Sequence, residues 1–405
     1  MNPAERNILA INGGSSSIKF AIFAADPSLY MKSKGQIERI GTPNSVFSVQ
    51  GNDLVERITK PFVAQDHMAA MTMLLDWIEE NENNYGLIAV GHRIVHGGPN
   101  FYEPQRLTLE LVEELRQLIP LDPVHLPEEI LIIETMQQRF PDLLQVVCFD
   151  AAVHHDLPLV ARLLLIPRRF EVQGVRRYGF HGLSYEFLMT ELVRIDGAAA
   201  ANGRIILAHL GNGASLAAVR DGKSIDTSMG FTPAAGVPMG TRSGDIDLGL
   251  VWYLARTEGL DAKQFDDLVN FKSCLLGISE TSSDMRDLLL HEREDSRAAD
   301  AVALFCYQIK KWIGAFAAVL GGLDTLVFTG RIGENIPNIR ARICADLEFL
   351  GIELDGMRNQ HSEHVISADA ARVRVRVMRT KEELVIARSV CRILDLDVGE
   401  ARIES

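Results

Sequence analysis

The sequence predicts an α/β protein built from two duplicated domains. Three observations lead there: a length of 405 residues, a strand-turn-strand unit that recurs half a chain later, and strands that alternate with amphipathic helices. A chain this long exceeds what one hydrophobic core serves well, so two domains are the first expectation. The recurring unit reads Ile8-Leu-Ala-Ile-Asn-Gly-Gly-Ser-Ser-Ser-Ile-Lys-Phe-Ala-Ile22 at the start and Ile205-Ile-Leu-Ala-His-Leu-Gly-Asn-Gly-Ala-Ser-Leu-Ala-Ala-Val219 near mid-chain. In each, an apolar run enters a glycine-rich polar turn and returns as a second apolar run, which is a hairpin signal. Residues 68–80, 107–118 and 128–139 carry the mixed apolar and charged spacing of half-buried helices. Residues 298–320 predict a long core helix, followed by a strand at 325–328 and a glycine turn. Strands interleaved with helices make α/β layers rather than a sandwich or a bundle. The boundary is placed near Asp150, giving domains 1–150 and 151–380, with a C-terminal helix at 381–400 that crosses back to the first.

Composition narrows the class of function. An apolar fraction of 47% and a charged fraction of 23% are those of an ordinary globular chain. A net charge of -13 argues against nucleic acid or an anionic membrane surface as partner. The five cysteines are scattered with no C-x-x-C pair, so neither a disulfide frame nor a thiolate zinc site is expected. The first residues lack a signal-peptide core, and the apolar stretch 312–323 stops at Asp324, short of a membrane span. A cytoplasmic protein is the expectation.

Neither a P-loop of the form G-x-x-x-x-G-K-S/T nor a G-x-G-x-x-G after the first strand is present. A nucleotide site must then use separate turns, and the chain offers three. The first is Asn12-Gly-Gly-Ser-Ser-Ser-Ile-Lys19, where backbone N–H groups, the hydroxyls of Ser15 and Ser17, and the Lys19 charge suit an anion. Asn12 is expected to end its strand with an amide oxygen suited to a metal-bound water. The second turn is His209-Leu-Gly-Asn-Gly-Ala-Ser215. The third is Phe328-Thr-Gly-Arg-Ile-Gly-Glu-Asn335, a strand entering a helix whose N-terminus would favour negative charge or ribose hydroxyls. Three such turns without a P-loop resemble the actin-like ATPase and sugar-kinase superfamily. That resemblance implies two ribonuclease H-like domains with the active site in the cleft between them.

Longer strings narrow the resemblance. Gly91-His-Arg-Ile-Val-His-Gly-Gly98, Tyr178-Gly-Phe-His-Gly182, Asp226-Thr-Ser-Met-Gly-Phe-Thr-Pro233, Met239-Gly-Thr-Arg-Ser-Gly-Asp-Ile-Asp247 and Glu382-Glu-Leu-Val-Ile-Ala-Arg388 resemble the acetate kinase family along essentially the whole chain. The resemblance implies reversible transfer of phosphate from ATP to acetate, giving acetyl phosphate and ADP, by a homodimer using Mg2+ with Mn2+ as substitute. It also implies roles for particular residues. Arg93 holds the acetate carboxylate, a task its planar two-donor fork suits. Val95, Val124, Phe180 and Pro233 enclose the methyl group, and His125 lies beside the substrate. His181 and Arg242 stabilise the transferring phosphoryl group, and Asp150 organises the metal surroundings or orients Arg93. Asn12 and Glu382 are the metal-linked positions. The nucleotide contacts fall on the run His209, Leu210, Gly211, Asn212 and Gly213, on Asp284, Met285 and Arg286, and on the run Arg331, Ile332, Gly333, Glu334 and Asn335.

The chain also departs from the family. Arg331 stands where glycine is usual, and a side chain there costs about 1 kcal/mol if the backbone needs a positive φ. Leu126 and Leu183 replace residues that are commonly polar, and Val124 replaces a leucine. Propionate or butyrate kinase activity is the near alternative, since one methylene changes discrimination by only about 1–3 kcal/mol. A non-catalytic ATP-driven switch would need the turns but not Arg93, Arg242 and His181 together. A zinc hydrolase on His92, His96, His154 and His155 lacks an H-E-x-x-H helix.

Overall fold

The structure is a computed structural model that describes residues 6–14, 17–51, 57–81 and 86–396. The chain divides into two compact units: one runs to Ala152 and takes in the chain from Lys381 onward, and the other is Val153–Thr380.

The first unit is built on a sheet of strands β1 (Asn7–Gly14), β2 (Ser17–Ala24), β3 (Met31–Glu38), β4 (Val46–Gly51), β5 (Arg57–Pro61), β6 (Leu87–Ile94), β7 (Gln105–Arg106) and β8 (Leu144–Phe149). Their order is β5-β4-β3-β2-β1-β6-β8-β7. The second unit's sheet runs β11-β10-β9-β12-β13, from β9 (Ile205–Leu210), β10 (Ala214–Arg220), β11 (Lys223–Thr227), β12 (Thr325–Thr329) and β13 (Arg374–Val377). The central pattern is the same in both. The opening strand pairs antiparallel with its hairpin partner and parallel with the strand that follows the crossover. A further parallel strand then extends each sheet, β8 on β6 and β13 on β12. This shared order gives the sequence repeat its structural meaning, a duplicated α/β layer.

Strand β1 is buried from Asn7 to Gly13 because parallel strands are covered on both faces. One cover is the helix His67–Glu80, capped by Asp66, whose Leu74, Trp77 and Ile78 pack with Phe20 and Phe47. Another is the C-terminal helix Glu382–Ile393, which packs on β1, β6 and β8. It approaches β6 so closely that a Cβ on Gly91 would lie 2.4 Å from Ile386 Cγ2 and 2.7 Å from Val390 Cγ2. Gly91 thereby lets a segment from the end of the chain reach the strand that carries Arg93.

In the second unit the helix Ser296–Leu320 is long and apolar enough to cross a membrane by length and composition. It instead buries Ala298, Val302, Phe305, Ile309, Ile313 and Phe316 and ends in a left-handed cap at Gly321. That fits the expected core helix.

The first turn differs from its expectation. Asn12 does not end a strand: the ladder continues through Asn12–Lys19 and Gly13–Ile18 to Gly14–Ser17. Asparagine and glycine usually end strands, but here cross-strand pairing overrides that preference. Ser15 lies outside the described residues. Ser17 and Lys19 open β2, with Lys19 exposed.

Candidate active site

The first unit places a charged cluster at the end of its central strands. Arg93 lies near the end of β6, and Asp150 follows β8. The Arg93 guanidinium donates to Asp150 Oδ2 at 2.8 Å, to Glu129 Oε1 at 3.1 Å and to the Gly13 carbonyl at 3.2 Å. Burial opposes its charge, but Asp150, Glu129 and Glu382 outweigh burial and raise its pKa further above the usual range. Glu129, in the first turn of the helix Leu126–Arg139, also accepts the Val95 N–H at 2.8 Å. Burial pushes the Glu129 carboxyl up to about 8, against the pull of Arg93 and the Val95 hydrogen bond.

Beside this cluster, Asn12 Nδ2 donates to Glu382 Oε2 at 2.7 Å, joining β1 to the first residue of the C-terminal helix. His125 precedes the helix Leu126–Arg139, and its Nδ1 lies 2.9 Å from Oδ1 of the buried Asp122. Burial would raise the Asp122 carboxyl, but the His125 hydrogen bond and charge prevail and lower it. Val95 is buried and Val124 half-buried. No group of three or more His, Cys, Asp or Glu suited to a metal is assembled among the described residues.

The second unit gathers the other expected residues in a different style. His181 adopts a left-handed conformation (φ 61, ψ 28) immediately before the helix Gly182–Asp196. A residue other than glycine in that conformation carries strain of about 1–3 kcal/mol, which its surroundings must hold. Its Nδ1 lies 2.8 Å from Ser215 Oγ, and Ser215 Oγ is also hydrogen-bonded to the Tyr185 hydroxyl. The His181 ring stacks on His209, centroids 4.2 Å apart, and His209 Nδ1 meets Ser184 Oγ at 2.9 Å. Arg242 donates to the Pro233 carbonyl at 3.0 Å.

Gly213 reveals where these groups converge. A Cβ built on Gly213 would lie 3.2 Å from Arg242 Nη2 and 3.3 Å from His181 Nε2. Both nitrogens therefore line one space that glycine keeps open. Phe180 and Pro233 are buried in this unit, whereas Val95 and Val124 belong to the first.

The turns expected to meet the nucleotide are ordered by their own hydrogen bonds. Gly211 N–H donates to the Gly213 carbonyl at 3.0 Å, and Gly240 N–H donates to the Asn212 carbonyl at 2.9 Å. Leu210 ends β9 and is buried. Asp284 caps the helix Met285–His291 through the Arg286 N–H at 2.9 Å and also pairs with the Arg286 guanidinium; Met285 is buried behind them.

The third turn forms the short helix Gly330–Asn335, whose positive φ falls on Gly330 and not on Arg331. The expected backbone strain at Arg331 is therefore absent: Arg331 is an exposed residue of the first turn, with Ile332 and Gly333 buried after it. Glu334 Oε1 accepts the Gly330 N–H at 3.0 Å and the Thr329 hydroxyl at 3.2 Å, so the helix supplies its own anion there. A carboxylate so placed suits ribose hydroxyls better than phosphate. Asn335 donates to the Arg331 carbonyl at 2.9 Å.

Sequence reading passed over Glu129, Asp122, Ser184, Tyr185 and Ser215 as partners of these groups. Only Asp122 had a local signal, its Asp-x-x-His spacing to His125. The others meet their partners through folding, with Ser215 and His181 34 positions apart.

The acetokinase family model matches residues 7–388. An acetate kinase of Rhodopseudomonas palustris (strain TIE-1) is 42% identical over 393 residues, covering 96% of this chain and 98% of its own. A propionate kinase of Citrobacter rodentium is also 42% identical, covering 95% of this chain and 96% of its own. A crystal structure of a propionate kinase from Francisella tularensis superposes with a TM-score of 0.87 at 36% identity, covering 95% of this chain and 98% of that one. With these matches spanning both units and every motif described above, the chain belongs to the acetokinase family.

Proposed function

We propose that this protein is an acetate kinase, transferring the γ-phosphoryl group of ATP directly to acetate in a reversible reaction. A carboxylate oxygen of acetate attacks phosphorus, forming an O–P bond, while the bond from phosphorus to the bridging oxygen of ADP breaks. Acetate is already ionised at neutral pH, so no base is needed and the protein's work is positioning and charge stabilisation.

The observation that carries this reading is the convergence of Arg242 Nη2 and His181 Nε2 over Gly213. Two nitrogens held beside one point, each able to donate, suit the equatorial oxygens of a transferring phosphoryl group. Arg93 supplies the complementary function. Three of its N–H donors are engaged by Asp150, Glu129 and Gly13, and a guanidinium has five, so two can grip a carboxylate. Asp150 thus orients Arg93. The Asp122-paired His125 is a further contact for substrate oxygens, and this reading assigns the acetate methyl group to Val95 and Val124 of the first unit and to Phe180 and Pro233 of the second. The His209–Gly213, Asp284–Arg286 and Arg331–Asn335 segments bind the nucleotide, together with Ser15, Ser17 and Lys19.

Mg2+, with Mn2+ as substitute, is the cofactor we assign. Asn12 and Glu382 fit it because they place two oxygen-bearing side chains together, and magnesium takes few protein oxygens and keeps several waters. When bound, it neutralises charge on the nucleotide phosphates. A second copy of this chain is the proposed partner: in the helix Gly249–Thr257 no residue is buried, and Trp252 and Tyr253 are 75% and 61% exposed. The five buried, unbridged cysteines support a reducing, cytoplasmic setting.

A coupled-ADP assay with purified protein tests the reading: turnover is expected to need both Mg2+ and acetate. Brisk ATP hydrolysis indifferent to acetate would reject it in favour of an ATP-driven switch. Propionate kinase is the second reading, favoured by a relative of that name at the same 42% identity. The buried Val95, tied through its N–H to Glu129, gives the pocket a fixed wall and favours acetate.

A further inference from the structure

We propose that Tyr185 and Ser215 form a hydroxyl relay that fixes the proton of neutral His181 on Nε2, which makes Ser215 a positioning residue for phosphoryl transfer. The proposal rests on reading His181 as a donor to the phosphoryl group.

A neutral imidazole has one N–H, and which nitrogen carries it is set by the partner of the other. The partner here is Ser215 Oγ, 2.8 Å from His181 Nδ1 on the fully buried Ser215 of β10. A hydroxyl has one hydrogen, and this one sits between Nδ1 and the Tyr185 phenol. Two arrangements satisfy the chain. In the first, Tyr185 donates to Ser215, Ser215 donates to Nδ1, and Nε2 carries the proton. In the second, Nδ1–H donates to Ser215, Ser215 donates to the phenol oxygen, and Nε2 presents a lone pair.

Both ends of the chain select the first arrangement. A phenol is a stronger donor and a weaker acceptor than an aliphatic hydroxyl, so donation runs inward from Tyr185. At the other end, Nε2 shares the space over Gly213 with Arg242 Nη2. An anionic oxygen entering there meets two donors in the first arrangement and a donor opposed by a lone pair in the second. The backbone supports the relay as well. Tyr185 N–H donates to the His181 carbonyl at 3.0 Å, so ring and phenol are set one helical turn apart. Ser215 pairs with His209 across the β9–β10 ladder, which places the hydroxyl beside the stacked rings.

The test is nitrogen NMR of protein labelled at histidine, with the His181 signals identified by their loss in His181→Asn. The wild type is expected to show a protonated Nε2 and a lone pair on Nδ1. Ser215→Ala is expected to shift His181 toward the Nδ1–H tautomer and lower kcat about tenfold, with KM for acetate and ATP within about twofold. Tyr185→Phe, which leaves the serine in place, is expected to cost about threefold in kcat. Ser215→Thr, which retains a hydroxyl, should recover the wild-type tautomer. A wild-type spectrum showing Nδ1–H, or protons on both nitrogens, overturns the relay and needs no variant to fold. An unchanged tautomer in Ser215→Ala overturns it too. If His181→Asn keeps kcat near wild type, the donor reading of His181 fails and takes the proposal with it. If that variant loses kcat while the wild type carries Nδ1–H, the relay alone fails.

Discussion

The two units differ in the kinds of partner described for their site residues. In the first, Arg93 is surrounded by ionisable partners, with Asp150, Glu129 and Glu382 all acting on its guanidinium, and His125 is backed by the carboxylate of Asp122. In the second, His181 is backed by the hydroxyls of Ser215 and Tyr185 and His209 by that of Ser184, while Arg242 donates to a backbone carbonyl. The difference follows from what each is proposed to meet. Arg93 must hold a carboxylate that is charged before the reaction begins, and a buried guanidinium needs counter-charges to stay in place. Arg242 and His181 are proposed to meet charge that redistributes during transfer, and hydroxyl and carbonyl acceptors can hold them in place without adding a negative charge of their own.

This comparison is broken or sharpened by separating ground-state from transition-state effects. The largest expected effect is in the second unit: Arg242→Ala should lower kcat about 10²- to 10³-fold while KM for acetate stays within about twofold. A stable Arg242→Ala protein with near-normal kcat, checked by melting temperature beside steady-state kinetics, would sink its assignment. Arg93→Ala should instead raise KM for acetate about tenfold as well as slowing turnover, because it already meets the ground-state carboxylate. It should also destabilise the protein by about 3–5 kcal/mol, since the buried Asp150 loses the guanidinium that pairs with it. Denaturant unfolding measures the second effect.

Smaller effects test the walls of the first cluster. Val95→Ala should move the ratio of kcat/KM for propionate over acetate up by about tenfold, the worth of roughly one methylene. An unchanged ratio would mean that Val95 does not bound the pocket. Glu129 predicts a pH effect of known sign. Its carboxyl titrates near 4.5 in an unstructured chain and is pushed up to about 8 in the fold, so the native state binds more protons across that window. Stability contributed at this position is therefore present below 4.5 and is lost as pH rises toward 8. Glu129→Gln should remove that decline, so its melting temperature relative to wild type should climb across the same window; parallel curves would reject the shift.

The sequence disclosed the duplication because glycine and asparagine bracket short apolar runs in both halves, and the two sheets share their central strand order. The glycine-rich strings around Arg93, Arg242 and His181 marked these residues as candidates, and the fold sets Arg242 and His181 together beside Gly213. The sequence misled at Asn12, where local turn residues look the same whether a ladder stops or continues through them to Gly14. It was silent on Glu129, which reads as an ordinary acid in the first turn of a helix. Its second oxygen reaches Val95 and its first reaches Arg93 only because β6 lies beside that helix. Ser215 was silent for the same reason: a serine in a strand looks solvent-facing until the fold sets a histidine against it.

The pairing of Asn12 with Glu382 spans 370 positions, and this bears on how the protein is made. The unit Val153–Thr380 is continuous in sequence and can fold once it has left the ribosome. The first unit must wait for a segment more than two hundred residues downstream, because the helix Glu382–Ile393 covers β1, β6 and β8. Completion of the first unit therefore includes the step that seats Glu382 against Asn12, and a chain that stops short of residue 382 lacks one of the two groups proposed to bind magnesium. Pulse-labelled ribosome-bound chains should gain protease resistance in the region 153–380 first, with β1 and β6 protected only once residues 382–393 have emerged.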